Sequence, residues 1–220
     1  GPLTRGELKR RLPDYEVLVV RLAHQIDREL LAYAPQLRAI VSPTTGLDHI
    51  DLDAAGKQGV AVLSLRGETE FLRGIPATAE LTWGLLLALV RRIPQAVHSV
   101  LQGEWDRDAF KGRDLAGQTL GILGLGRIGE KIARYGLAFE MRVISFDPYR
   151  EEWVEGVERV ESLTALLERS NVLSIHVPLN DETRGMIGPS ELAQLPGGAL
   201  LVNTARGALI DEPALLEKAD

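Results

Sequence analysis

Residues 119–129 read TLGILGLGRIG. Gly124, Gly126 and Gly129 stand in the spacing G-x-G-x-x-G, directly after an apolar run and at the head of a segment with helical periodicity. That arrangement suits a pyrophosphate. The first glycine makes a tight turn, the second lets the backbone approach the phosphates, and the third lets the helix pack against the strand. The N–H groups and the dipole of the helix then hold the anion. Asp147 ends the next apolar run, 18 residues after Gly129. A carboxylate there accepts hydrogen bonds from an adenosine ribose and repels a 2′-phosphate. NAD is therefore expected in preference to NADP, although Arg150 close by is a cation that would soften the choice. Without a ligand, the same residues would form a glycine-rich turn, with Asp147 a turn residue before Pro148.

The rest of the chain narrows the chemistry by exclusion. Its 220 residues contain no cysteine. Disulfides, thiolate zinc sites and a cysteine nucleophile are excluded, and no metal site is expected. This fits a cytoplasmic setting. Basic residues number 25 and acidic residues 31, a net charge of −6, which disfavours nucleic-acid binding through phosphate contacts. The longest apolar stretch, 83–90, ends at Arg91 and Arg92. It is far shorter than the roughly 20 residues that span a bilayer, so no membrane partner is expected.

The elements that must position the glycine turn follow an alternating rhythm. Residues 16–20, 37–41 and 60–65 read as strands, with helical spacing at 26–34 and 50–57. A charged loop follows at 66–76. Residues 77–93 read as one long helix closed by Pro94, apolar around much of its circumference and so a core or dimer helix. Residues 101–117 are polar, with Trp105 and Phe110 as anchors. Strands are then expected at 119–123, 142–146, 172–177 and 198–203, and helices at 128–139, 162–168, 189–195 and 213–219. Strands alternating with helices indicate an α/β fold with parallel sheets. The domain junction is placed at about residue 76.

With the glycine turn placed, other segments become recognisable. SPTTGLDHIDLDAA (42–55), PATAELTWGLLLALVRRIP (76–94), DLAGQTLGILGLGRIGEKIA (114–133), SNVLSIHVPLNDETRGMI (170–187) and GALLVNTARGALIDEPALL (198–216) resemble the D-isomer-specific 2-hydroxyacid dehydrogenases. The resemblance implies two Rossmann-like or flavodoxin-like doubly wound domains with a cleft between them. Residues 1–76 would be a substrate-binding domain incomplete at its N-terminus, and 77–220 an NAD-binding domain incomplete at its C-terminus. It makes Arg206 the catalytic arginine that binds the substrate's carboxylate and carbonyl oxygen. A guanidinium suits that task, because it offers two donors and stabilises charge developing on oxygen. Arg206 would also face the cofactor. Thr44, Thr45 and Gly46 would present backbone N–H groups to the carboxylate, with Thr45 near the nicotinamide. Arg127 and Ile128 would lie over the pyrophosphate. Val177, Pro178, Thr204 and Ala205 would line the adenine and nicotinamide sides. His176 matches a position other than the family's catalytic histidine, and so reads as structural or cofactor-flanking. His24, His49 and His98 read as surface or structural residues.

Three departures stand out. The family's acid–base pair, a Glu and a His, is expected beyond Asp220, so the 220-residue chain alone is expected to be close to inactive. The segment RGETEFLRGIP (66–76) is longer and more charged than the family suggests. Glu140 occupies a position where glycine is commoner. The expectation is an NAD-dependent oxidoreductase moving hydride between nicotinamide and a small D-2-hydroxy or 2-oxo acid. Phosphoglycerate, glycerate or hydroxypyruvate, glyoxylate and lactate are all open, and Arg21 is a candidate for a substrate phosphate. The alternatives are a non-catalytic NAD(H) sensor or corepressor-like protein and a formate-type dehydrogenase. A homodimer is expected, through the long helix and the loop at 101–110.

Overall fold

The structure is a computed structural model that describes residues 3–219. The chain divides into two compact units, the first running to Gly74 and the second beginning at Ile75.

The first unit opens with α1 (Arg5–Arg11), set by a capping box between Thr4 and Glu7. Strands β1 (Val17–Val19), β2 (Ala39–Ser42) and β3 (Ala61–Ser64) then form a parallel sheet in that order. Two short helices connect them, α2 (Arg28–Leu31) and α3 (Leu52–Lys57). Asp27 and Asp51 start these helices by accepting hydrogen bonds from the N–H groups of Leu30 and Ala54. Ile26, Leu30, Leu31, Ile40 and Ala55 form the centre of the core, with Leu18 and Val62 against it. Side chains alternate along a strand, so Val17, Val19 and Leu63 point to the opposite face and are more than half exposed. The expected loop at 66–76 instead contains a short helix, α4 (Thr69–Arg73), which buries Leu72.

The second unit is a five-stranded parallel sheet. In chain order its strands are β4 (Thr119–Leu123), β5 (Arg142–Phe146), β6 (Val157–Arg159), β7 (Val172–Ile175) and β8 (Leu200–Asn203). In space they run β6-β5-β4-β7-β8. The order therefore reverses between β4 and β7, which is the point where doubly wound sheets bind ligands, at the carboxyl ends of the strands. Both faces of this sheet are covered. On one side α5 (Ala77–Val90) and α7 (Arg127–Ala138) pack Trp83, Leu86, Ile132 and Ala133 against Leu120 and Ile122. On the other, α8 (Leu163–Arg169) and α9 (Pro189–Gln194) contribute Leu166, Leu167 and Leu192. A parallel sheet buried on both faces explains the near-continuous apolar strands. The last helix, α10, spans Glu212–Ala219.

Further details correct or explain the sequence reading. The expected single helix 77–93 is two helices: α5 ends at Val90 and α6 (Ile93–Leu101) begins after Arg92, whose φ of 52° is left-handed. Pro94 opens α6 rather than closing α5, because the first turn of a helix has no use for the missing N–H. Trp105 is 85% exposed and anchors nothing, whereas Phe110 is partly buried. Glu140 has a φ of 58°. It follows α7 in a Schellman turn, with Glu140 N–H donating to Leu137 O and Met141 N–H to Gly136 O. That left-handed position is why glycine is commoner there.

Candidate functional site

The carboxyl edge of the second sheet collects most of the residues singled out in the sequence. β4 ends at Leu123, and the chain turns at Gly124 with a φ of 88°. A Cβ on Gly124 would lie 2.8 Å from Val177 Cγ1 and 2.9 Å from the His176 carbonyl. A Cβ on Gly129 would lie 2.2 Å from the Gly124 carbonyl. Both positions are therefore glycine for reasons internal to the fold. Gly126 is different. It is exposed, and a Cβ there would meet nothing within 4 Å. It is also the N-cap of α7, with no side chain capping the N–H groups behind it. An open glycine before uncapped helical N–H groups fits an anion arriving from outside. A dinucleotide pyrophosphate meets that description.

Asp147 follows β5 and braces this turn. Its Oδ2 accepts from Leu125 N–H at 2.9 Å and its Oδ1 from Tyr149 N–H at 3.0 Å. Arg150 holds the next peptide of the same turn, donating to the Leu125 carbonyl, and donates also to the Glu152 carbonyl and the Glu130 carboxylate. Arg127, the first residue of α7, donates to the Ile75 carbonyl at 3.1 Å. Ile128 packs against the core.

At the end of β7, His176 N–H donates to Leu123 O at 2.8 Å, and its Nε2 lies 2.7 Å from Ser174 Oγ. Burial lowers its pKa from 6.5 to about 4. It is neutral at physiological pH and a poor store for a catalytic proton. Val177 fills the space beneath Gly124, and the Pro178 carbonyl accepts from Thr183 Oγ1 at 2.6 Å.

At the end of β8, Asn203 shapes the turn that presents Arg206. Its Oδ1 accepts from Ala205 N–H at 3.0 Å and its Nδ2 donates to the Arg206 carbonyl at 2.8 Å. Arg206 is part-buried, and its Nη1 donates to the Ala205 carbonyl at 2.9 Å. Thr204 Oγ1 lies 2.7 Å from Thr82 Oγ1 on α5. Thr82 gives its own proton to the Thr78 carbonyl, so Thr204 is the donor. Asp211 caps α10 by accepting from Ala214 N–H at 3.1 Å.

Thr44, Thr45 and Gly46 belong to the first unit, after β2. Thr44 Oγ1 donates to the Gly46 carbonyl at 2.8 Å. Its single proton is spent, so Ser42 Oγ donates to Thr44 at 2.8 Å. Ser42 then needs a donor of its own, which is Nε2–H of buried His49 at 3.2 Å. A chain from His49 through Ser42 and Thr44 to Gly46 thus sets the shape of this turn.

The sequence reading passed over Asn203, Ser42, Thr82 and Glu130. Only Asn203 carries a sequence signal: an Asn that can bond its own backbone two and three residues on. Among the described residues, no group of three His, Asp or Glu could hold a metal, and no helix is long and apolar enough to cross a membrane.

Comparison with known proteins places this geometry. Residues 83–220 match the sequence profile described as D-isomer specific 2-hydroxyacid dehydrogenase, NAD binding domain. The chain is 42% identical to a D-3-phosphoglycerate dehydrogenase of Methanocaldococcus jannaschii, over 98% of this chain and 41% of that enzyme. It is 39% identical to a hydroxypyruvate reductase of Thermotoga maritima, over 98% of this chain and 69% of the other. The chain thus spans about two fifths of the length of the first of these relatives. Its fold is similar to that of D-lactate dehydrogenase from Aquifex aeolicus complexed with NAD and lactic acid. That match has a TM-score of 0.83 at 34% identity and covers 96% of this chain and 62% of that one.

Proposed function

The chain belongs to the D-isomer specific 2-hydroxyacid dehydrogenase family and carries its NAD-binding domain, and on that premise we propose that the protein moves hydride between NAD and a small D-2-hydroxy or 2-oxo acid. The observation that carries the proposal is the shared edge of the second sheet, where the open Gly126 turn, Asp147 and the Asn203-bracketed Arg206 follow β4, β5 and β8. The bound nicotinamide supplies or accepts the hydride. The protein's own residues do the rest. Gly124, Gly126 and Gly129, with Arg127 and Ile128, cradle the pyrophosphate. Asp147 receives the adenosine ribose, while Val177, Pro178, Thr204 and Ala205 line the ring sites. Arg206 grips the carboxylate and carbonyl oxygen, and stabilises the negative charge that grows on that oxygen as hydride arrives at carbon. Thr44, Thr45 and Gly46 offer N–H groups to the carboxylate, with Thr45 also towards the nicotinamide.

The alkoxide formed on reduction must take a proton. His176 is held neutral by its burial and is a poor source for that proton. A positioned acid contributes about 10²–10⁴-fold to such a step. A sensor that merely binds the dinucleotide would have no use for Arg206. The protein is proposed to work in the cytoplasm as a homodimer. The apolar face of α5 and α6, with Leu81, Leu85, Leu89, Val97 and Leu101 exposed, is the contact, since two-fold pairs are the commonest assembly. The test is to titrate the protein with NADH, then add 2-oxo acids before and after Arg206→Lys. Lysine keeps the charge but loses the two-pronged donor set. The expected result is oxo-acid binding weakened far more than NADH binding. Unchanged oxo-acid binding would refute the role of Arg206, and no NADH binding would refute the cradle.

A further inference from the structure

We propose that Glu130 determines cofactor choice by neutralising and holding Arg150, which would otherwise favour a 2′-phosphate. This rests on the reading of Asp147 as the ribose carboxylate. In dinucleotide-binding folds a carboxylate after the second strand selects NAD, and an arginine nearby accommodates the extra phosphate of NADP. This chain carries both, three residues apart. The structure separates their roles. Asp147 spends one lone pair of each oxygen on backbone N–H groups, which carry no net charge to cancel its own.

Arg150 is committed elsewhere. All three of its nitrogens donate, to the Glu152 carbonyl, the Leu125 carbonyl and the Glu130 carboxylate. The two carbonyls hold the guanidinium without cancelling its charge. Glu130 alone among these partners cancels it. The pair is well sheltered, with the Arg150 side chain 21% exposed and that of Glu130 34%, so solvent screens it less than an open surface pair. Glu130 sits in the first turn of α7, next to Gly129, and is held in place by the helix that carries the phosphate turn. The cation that would welcome NADP is thus tied to the helix, and the anion that rejects it is left facing the ribose.

The test compares NADH and NADPH affinities of the protein by fluorescence titration in four forms: unaltered, Glu130→Gln, Glu130→Ala, and Glu130→Gln with Arg150→Ala. Thermal melting of each form verifies folding. Releasing a charge-assisted hydrogen bond of this class is expected to shift the NADPH-to-NADH affinity ratio about tenfold towards NADPH in both single variants. Adding Arg150→Ala returns the ratio to its starting value. A fall in both affinities by the same factor would mean that Glu130 merely supports the turn, and would overturn the proposal. So would a shifted ratio that survives Arg150→Ala. Failure of the unaltered protein to bind NADH would overturn the cradle assignment itself, which separates that failure from failure of the Glu130 role.

Discussion

Alanine at Gly126 probes the phosphate cradle without burdening the fold. The residue has a φ of −74° and a ψ of −165°, an extended conformation open to any residue. Its added Cβ would meet no protein atom within 4 Å. Two small terms oppose each other. Alanine restricts the unfolded chain, a gain of about 0.4–1 kcal/mol, and is the poorer N-cap by a few tenths to about 1 kcal/mol. Stability is expected to change by less than about 1 kcal/mol. The same methyl group would stand where a pyrophosphate must approach. A steric intrusion of that kind costs about 1–3 kcal/mol, so the NADH dissociation constant should rise about fivefold to 150-fold. Gly129→Ala provides the contrast. Its Cβ would lie 2.2 Å from a backbone carbonyl, and relieving that overlap means moving the turn. Here stability itself should fall by about 1–3 kcal/mol or more. Urea denaturation and NADH fluorescence titration measure the two quantities separately. If Gly126→Ala bound NADH as tightly as the unaltered chain, or lost as much stability as Gly129→Ala, the assignment of the cradle would be wrong.

Further expectations follow from single contacts. Burial holds the His176 pKa at about 4 against 6.5 unfolded, so the unfolded chain binds the extra proton between those values. The stability this gives is complete above pH 6.5 and fades as pH falls towards 4, by about 3 kcal/mol at about 1.4 kcal/mol per pH unit. His176→Gln should flatten that part of the denaturation profile, and an unchanged slope would refute it. His49→Leu removes the donor to Ser42 and should cost about 1–3 kcal/mol, while His49→Gln, which keeps a donor, should cost less; equal losses would show that the hydrogen bond is immaterial. Glu140→Gly relieves a left-handed backbone and should stabilise the chain by about 1 kcal/mol, read as a raised melting temperature. Leu85→Glu on α5 should shift a dimer towards monomer in light scattering, and an unshifted mass would place the contact elsewhere.

Much of this was legible in the residues because local and global demands agreed. β4 and β5 run over 119–123 and 142–146 as expected, since a strand buried on both faces leaves an unbroken apolar run. The phosphate turn was legible because Gly124 and Gly129 each meet a separate steric demand within the fold, while Gly126 completes the spacing with open space around it. What escaped was set by tertiary context. Pro94 stops one helix or starts another with equal ease, and Arg92 in a left-handed conformation decided between them. β6 has three residues, and Val157 alone is buried, too little pattern to read. α4 is held by one buried leucine in an otherwise charged stretch. Ser42, Thr82 and Glu130 act through partners 2 to 122 residues away, and only the fold reveals them.

The strand order of the second sheet also governs how the site comes into being. No two neighbours in β6-β5-β4-β7-β8 are joined by a hairpin, because all the pairings are parallel. Each pairing must therefore await a long crossover, and contacts of that kind form slowly. β4 lies in the middle and carries the Gly124 turn at its end. Val177, which packs beneath that turn, arrives only when β7 has docked on β4. The phosphate turn is thus among the late features to acquire its shape, and recovery of NADH binding during refolding reports the completion of the sheet rather than its beginning.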